Sequence, residues 1–286
     1  MSDELEAPIK VAPEDVVVGP VLDADANDVS GVKTPVIEGV AKMLKKGRRY
    51  FGSSGASLTH QVSNPDAPDE IKPELAKIGL EGERETTKIL RDWMADKPGV
   101  VLVDSVHINM DYKTANIDED EIPEALDEET GLVDGKDTDH VLLIGNEVVL
   151  IDTKRWKKKR RYSISDSGNV LRANRDFPGG RVRMKHAIYL WVEYLHEDAV
   201  LNGIVFVNSE ETSVTRNFNW YKQPYRLLEK DRFTEFLDEK WNRVSESDRT
   251  TINPNLVAQV ALSAIKPYDV YTQVFNEKAL NEFRKK

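Results

Sequence analysis

An α/β fold is the expectation for this chain, and three stretches carry it. Residues 137–156 read DTDHVLLIGNEVVLIDTKRW: two branched apolar runs, 141–144 and 148–151, flank Gly145-Asn146, whose turn chemistry completes a β-hairpin. GVVLVDSVHI (99–108) and GIVFVN (203–208) read as two more buried strands. Between the hairpin and the last strand, RVRMKHAIYLWVEYLHED (181–198) sets Met184, Ile188, Trp191, Val192 and Leu195 on one helical face. With an opening helix in front, the order is helix, three strands, helix, strand.

Residues 1–35 mix acidic residues, Pro, Gly and Ala without a sustained period and are expected to form a mostly disordered arm. DADAND, from Asp23, opens like a calcium loop. However, Asp28 stands where that loop needs glycine and Thr34 where it needs a bidentate glutamate, so no calcium site is read there. Residues 36–50 suit a short, solvated amphipathic helix with a basic end, followed by a flexible FGSSGAS. The core is expected to begin near Pro73. PELAKIGLEGERETTKILRDWMAD (73–96) has helical apolar spacing, broken or kinked about Gly79 and Gly82. The acidic, weakly periodic stretch 109–137 reads as a surface insertion. YRLLEKDRFTEFLDEKW (225–241) and PNLVAQVALSAI (254–265) read as two further helices. The chain thus divides into a flexible acidic arm carrying the short basic helix (1–72), a core domain (73–215) and a helical C-terminal extension (216–286).

Composition narrows the function. Asp and Glu outnumber Lys and Arg 50 to 40, so coating nucleic acid by bulk charge is disfavoured and only a local basic face is left for it. The absence of cysteine excludes disulfides and thiolate metal sites. No run approaches the ~18 apolar residues that cross a bilayer. The start MSDELEAPIK is acidic where a secretory signal is basic and then apolar, so a cytoplasmic location without membrane contact is expected. The histidines lack HExxH spacing, which disfavours a zinc hydrolase, and GLVDGKD (131–137) lacks the full phosphate-loop spacing.

Chemistry concentrates at the far end of the hairpin. Folding about Gly145-Asn146 brings Asp139 and Asp152, equidistant from the turn, into register, and Lys154 lies two residues beyond Asp152 on the same strand face. Two carboxylates and an ammonium at one strand end can hold a divalent cation and position a water, the parts that phosphodiester hydrolysis needs. The same residues admit a purely structural arrangement, in which Asp139 and Asp152 form salt bridges with Lys154 and Arg155 at a sheet edge.

Asp139 followed after a hairpin by IDTK (151–154) resembles the PD-(D/E)xK nuclease superfamily. GLEGE (79–83), DTDH (137–140), VVLIDTKRW (148–156) and the GIVFVN strand fall in the order found in its NERD (nuclease-related) domain. The resemblance covers about residues 74–208. It implies a restriction-endonuclease-like fold, a mixed central sheet flanked by helices. It also implies that Glu83 binds or orients the metal-water cluster, that Asp139 and Asp152 are metal ligands, and that Lys154 is the catalytic lysine. Glu83, between Glu81 and Glu85, would on spacing alone be a solvated carboxylate. Asp152 stands where the family usually has glutamate, and Lys185, with Tyr189 one turn on, stands where it often has glutamine.

Directly after the site, RWKKKRRYSISDSGNVLRANR (155–175) is densely basic with Trp156 and Tyr162 interleaved, as a surface contacting a phosphate backbone would be. Lys157, Lys158, Arg160 and Arg161 are therefore expected to bind nucleic acid, and the resemblance adds Lys185 to them. The functional expectation is a deoxyribonuclease dependent on Mg2+ or Mn2+. The alternative is a DNA-binding or assembly protein that uses the fold as a scaffold and cleaves little or nothing. The acidic arm and the C-terminal helices are the surfaces left for a protein partner.

Overall fold

The computed structural model describes residues 34–55, 58, 73–107, 110–111, 132–133, 137–177, 179–182, 184–195 and 199–263. In chain order the elements are α1 (Thr34–Lys45), β1 (Tyr50–Gly52), α2 (Pro73–Trp93), β2 (Val100–His107), β3 (Met110–Asp111), β4 (Leu132–Val133), β5 (Asp137–Ile144), β6 (Glu147–Lys154), β7 (Arg161–Ile164) and β8 (Val170–Arg172). They continue with α3 (Met184–Tyr194), β9 (Val200–Val207), β10 (Ser213–Val214), α4 (Phe218–Lys222), β11 (Tyr225–Glu229), α5 (Lys230–Arg243), α6 (Glu246–Thr250) and α7 (Pro254–Ala258). A π-turn over Gln259–Ser263 extends α7.

The fold is α/β. Six strands form a mixed sheet in the order β1-β2-β5-β6-β9-β11. The central β2-β5-β6 ribbon is antiparallel, and β1, β9 and β11 join it parallel to their neighbours. The hairpin closes tightly at Gly145-Asn146, with Ile144 opposite Glu147, and Gly145 takes the positive φ of 58° that a two-residue turn favours. Both faces of the central strands are covered. Val141, Leu143, Val148 and Leu150 pack under α1, α3 and α7, while Leu142, Ile144, Val149 and Ile151 pack under α2 and α5. A strand apolar on both faces does not fix its own register, because a one-residue slip would exchange one buried face for another. The tight turn and the charged strand ends fix it instead.

Several expectations change. The helix over 36–50 is not peripheral: α1 buries Ile37, Val40 and Leu44 in the core, and β1 is an edge strand of the central sheet. The core thus starts well before Pro73. α2 is a single 21-residue helix, unbroken at Gly79 and Gly82. Tyr225–Glu229, read as helical, is the opposite edge strand, with Tyr225, Leu227 and Leu228 buried, and α5 begins only at Lys230. Val192 lies exposed on α3 rather than in its apolar face. The basic run after β6 folds into a small sheet, β10-β7-β8. The arm over 1–33 and most of the acidic insertion lie outside the described residues. Among the described residues no helix is long and apolar enough to cross a membrane.

Candidate active site

β5 and β6 pair from the turn down to His140 opposite Ile151, and one step further the same register sets Asp139 opposite Asp152. The ladder changes character there. The Asp139 carboxylate accepts the Thr153 backbone N–H at 2.6 Å, so a side-chain oxygen takes over a main-chain donor at the strand end. β2 is irregular at the same level. Ser105, between the pairs Asp104–His140 and Val106–Thr138, has a φ of 53°, a left-handed conformation that costs a non-glycine residue about 1–3 kcal/mol. Its hydroxyl donates to the Ser53 carbonyl at 2.7 Å, which ties the irregularity to the loop after β1.

Lys154 lies two residues past Asp152, so strand alternation puts both side chains on one face, and Nζ donates to Asp152 Oδ1 at 2.6 Å. Their side chains remain 32% and 20% exposed, open enough for a ligand to reach both. Glu83 arrives from α2. The helix approaches the end of β6 so closely at Gly82 that an added Cβ would sit 3.1 Å from Arg155 Cβ and 3.7 Å from Thr153 Cγ2. Arg155 reaches back to Glu81 and Glu85, at 3.6 and 3.8 Å, while Glu83 itself is buried. The solvated reading of Glu83 therefore does not hold. The structure brings Glu83, Asp139, Asp152 and Lys154 within electrostatic reach of one another.

Three carboxyl groups here share one ammonium, and their ionisation shows it. Burial first, then the charges of Asp139 and Asp152, push Glu83 up to about 10 against the pull of Lys154. Asp139 is pushed up to about 7, by burial and then Asp152, with Lys154, His140 and the Thr153 N–H acting against the rise. Burial alone would lower Lys154, but Asp152, Asp139 and Glu83 outweigh it and raise its pKa. Excess negative potential on hard oxygen donors is what a divalent cation relieves, so the donor chemistry fits Mg2+ or Mn2+. The side chains are not gathered for one, however. Asp152 is engaged by Lys154 and Asp139 by Thr153, and among the described residues no group of three or more His, Asp or Glu side chains converges to hold a metal.

On the α2 face of the sheet, to which strand alternation turns His140 and Thr153 and from which it turns Asp139 and Asp152 away, lies a polar network that sequence reasoning missed. Buried Asp104 accepts from Tyr50 Oη (3.0 Å) and Thr87 Oγ1 (2.6 Å), and its second oxygen meets His140 Nδ1 at 2.8 Å. His140 Nε2 contacts Thr153 Oγ1 (3.1 Å), which donates to Thr86 Oγ1 (3.2 Å), and Thr86 and Asn208 both donate to the Gly82 carbonyl. Burial alone would lower the His140 pKa, yet Asp104 beside it raises it. His140 is thus a hydrogen-bonding residue rather than a ligand. The one signal that could have found this network is Asp104 itself, a carboxylate inside the apolar run GVVLVDSVHI.

The basic residues separate into two groups. Lys158 pairs with Glu210 at 2.5 Å, and its neighbour Lys159 with Glu211 at 3.4 Å. Lys157, Arg160 and Arg161 are exposed. Lys185 is exposed on the first turn of α3, its ammonium 5.7 Å over the Tyr189 ring. Tyr162, expected to interleave with the basic side chains, is fully buried and packs on Trp156 (5.0 Å between centroids) and Phe177 (5.9 Å), so it offers no stacking face. Comparison with family models, with curated proteins and with solved structures finds no match.

Proposed function

We propose that the chain is a metal-dependent nuclease hydrolysing DNA phosphodiester bonds, a relative of the NERD domain on a restriction-endonuclease-like version of the mixed sheet. One observation supports the reading: Glu83, Asp139 and Asp152 lie within electrostatic reach of one another and of Lys154 at a strand end left open through Asp152 and Lys154, with three carboxyl groups to one ammonium. Asp139 and Asp152, with Glu83, are the groups that would hold Mg2+ or Mn2+. When bound, that cation supplies polarisation of a phosphoryl oxygen and a more acidic water. Lys154 orients the attacking water and offsets charge developing on the phosphoryl oxygens. Asp104 and His140 brace the site from behind, through Thr153, whose backbone holds Asp139. DNA is the partner in this reading, and the cytoplasm its setting.

The second reading, a DNA-binding or assembly protein with little cleavage, is favoured by the 2.6 Å Lys154–Asp152 contact, which satisfies both groups without a metal. Cleavage assays on supercoiled, linear and single-stranded DNA distinguish the two. Products formed in magnesium or manganese and lost in excess chelator support the nuclease. Calcium should bind and support cleavage poorly, because its looser coordination orients water less well. Cleavage undiminished by chelator removes the metal from the proposal, and bound but intact DNA in every metal favours the scaffold.

A further inference from the structure

The chain turns twice after the site, and the second turn gathers arginines. β7 and β8 pair with Tyr162 opposite Arg172, and Arg172 then bridges Arg175 across Ala173 and Asn174. Those two residues have φ of 51° and 60°, the doubly left-handed geometry of a type I′ turn. Arg172 and Arg175 are therefore directly opposed, a spacing of about 5 Å between Cβ atoms at which like charges destabilise a pair. The Ala173 N–H donates to the Arg161 carbonyl at 2.9 Å, which sets the Arg161 backbone beside the turn, its side chain alternating to the strand face opposite Tyr162. Lys158 and Lys159 in the same run are neutralised by Glu210 and Glu211, whereas among the described residues no carboxylate lies within ion-pair distance of Arg161, Arg172 or Arg175.

Packing holds this repulsive tip in place. Buried Tyr162 joins Trp156 and Phe177, whose rings meet edge to face at 5.1 Å, and the Arg172 guanidinium lies 4.8 Å over Phe177. Trp156 follows Lys154 by two residues, and its carbonyl accepts the Ser209 hydroxyl at 2.7 Å. The tip is thus fastened to the strand end that carries Asp152 and Lys154.

We infer that the β7–β8 tip is the phosphate grip of this protein: Arg161, Arg172 and Arg175 take the backbone of a DNA strand beside the Lys154 end of β6, and the paired lysines 158 and 159 contribute little. Planar guanidinium forks bind phosphate oxygens in pairs, and bound phosphate removes the repulsion the turn otherwise bears. The inference rests on the nucleic-acid reading above and centres it on three side chains, two of them beyond the KKKRR run.

The test uses the full chain and a short fluorescent DNA duplex, titrated over a range of salt in calcium. R161Q/R172Q/R175Q should lower affinity about tenfold or more and reduce the slope of log K against log salt by about 2 to 3, while K158Q/K159Q leaves both near the parent values. Because Arg172 packs on Phe177, R161Q/R175Q, confined to exposed side chains, accompanies the triple variant and should lose about 1.5 to 2 from the slope. Parent-like affinity and slope in both arginine variants overturn the grip and leave the nuclease reading standing. A parent that binds no DNA at low salt overturns both. Binding lost with the arginines, but never accompanied by cleavage in magnesium, keeps the grip and removes the nuclease.

Discussion

Two buried polar clusters lie at the same level of the sheet, on opposite sides of Thr153, and they are built on opposite principles. Around Asp104 every acceptor meets a donor: two hydroxyls, an imidazole and a chain of threonines ending on the Gly82 carbonyl. Around Asp139 the acceptors are in surplus, with three carboxyl groups for one ammonium and one backbone N–H. A satisfied network rigidifies a core, whereas a surplus of carboxyl groups is relieved only by taking up protons or a cation. The contrast separates the part that holds the site from the part that would act.

The largest expected effect falls on the holding side. Asp104→Ala strands the imidazole and two hydroxyls at once, and breaking a buried charged pair by removing one partner costs about 3–5 kcal/mol. Urea unfolding of the metal-free protein measures it, and a loss below about 1 kcal/mol would mean the network is not the brace described here. On the acting side the effect moves from stability to rate. Lys154→Ala should lower turnover by about two orders of magnitude or more with DNA affinity nearly intact, because the role proposed for it lies mainly in the transition state. Equal losses in affinity and turnover would assign Lys154 to binding.

How much of this contrast was legible in the sequence differs between the clusters. The acting side was legible because a hairpin register is arithmetic: Gly145-Asn146 fixes which residues face each other, and Asp139, Asp152 and Lys154 follow from counting. Glu83 was legible only through the family resemblance, because on spacing alone Glu81, Glu83 and Glu85 look alike on a helix until the approach at Gly82 shows which one turns inward. The holding side was hidden because its members come from six separate elements or loops and share no spacing. Edge strands were lost for a similar reason. Tyr50–Gly52 is too short to show alternation, and Tyr225–Glu229 runs without punctuation into the helical pattern of α5. The arginine grip was read as part of a single basic run, because pairing of Lys158 and Lys159 with Glu210 and Glu211 is a tertiary property.

A pH titration sharpens the contrast. Glu83 and Asp139 have folded pKa values raised above their ordinary carboxylate range, to about 10 and about 7. The native state therefore binds more protons than the unfolded chain, and stability falls as pH rises from about 4 toward those values. The raised His140 pKa adds a loss of the same sign. The metal-free protein should lose stability between pH 5.5 and 8 with a slope on the order of 1 kcal/mol per unit, and Glu83→Gln should flatten it. Magnesium should restore stability most at the alkaline end, where the carboxylates proposed to hold it are already ionised. A melting temperature that stays level or rises across this range would show that the carboxylates are not in surplus.

The smallest expected change in stability, Gly82→Ala, strikes the residue that joins the two clusters. Its carbonyl anchors Thr86 and Asn208 on the holding side, and its bare α-carbon allows α2 close enough to β6 for Glu83 to reach the acting side. A methyl group there would stand 3.1 Å from Arg155 Cβ, so the helix must retreat by a few tenths of an ångström. Alanine gains about 1 kcal/mol in helix propensity over glycine, which offsets most of that strain, and net stability should stay within about 1 kcal/mol of the parent. Rate is less forgiving. Reacting groups displaced by about 1 Å lose about two orders of magnitude, so a shift of a few tenths at Glu83 should lower turnover about threefold to tenfold. Matched melting and cleavage measurements on G82A read the two effects separately. A variant that loses stability and turnover in proportion would show that Gly82 serves packing alone, and that the reach of Glu83 does not depend on the close approach of α2.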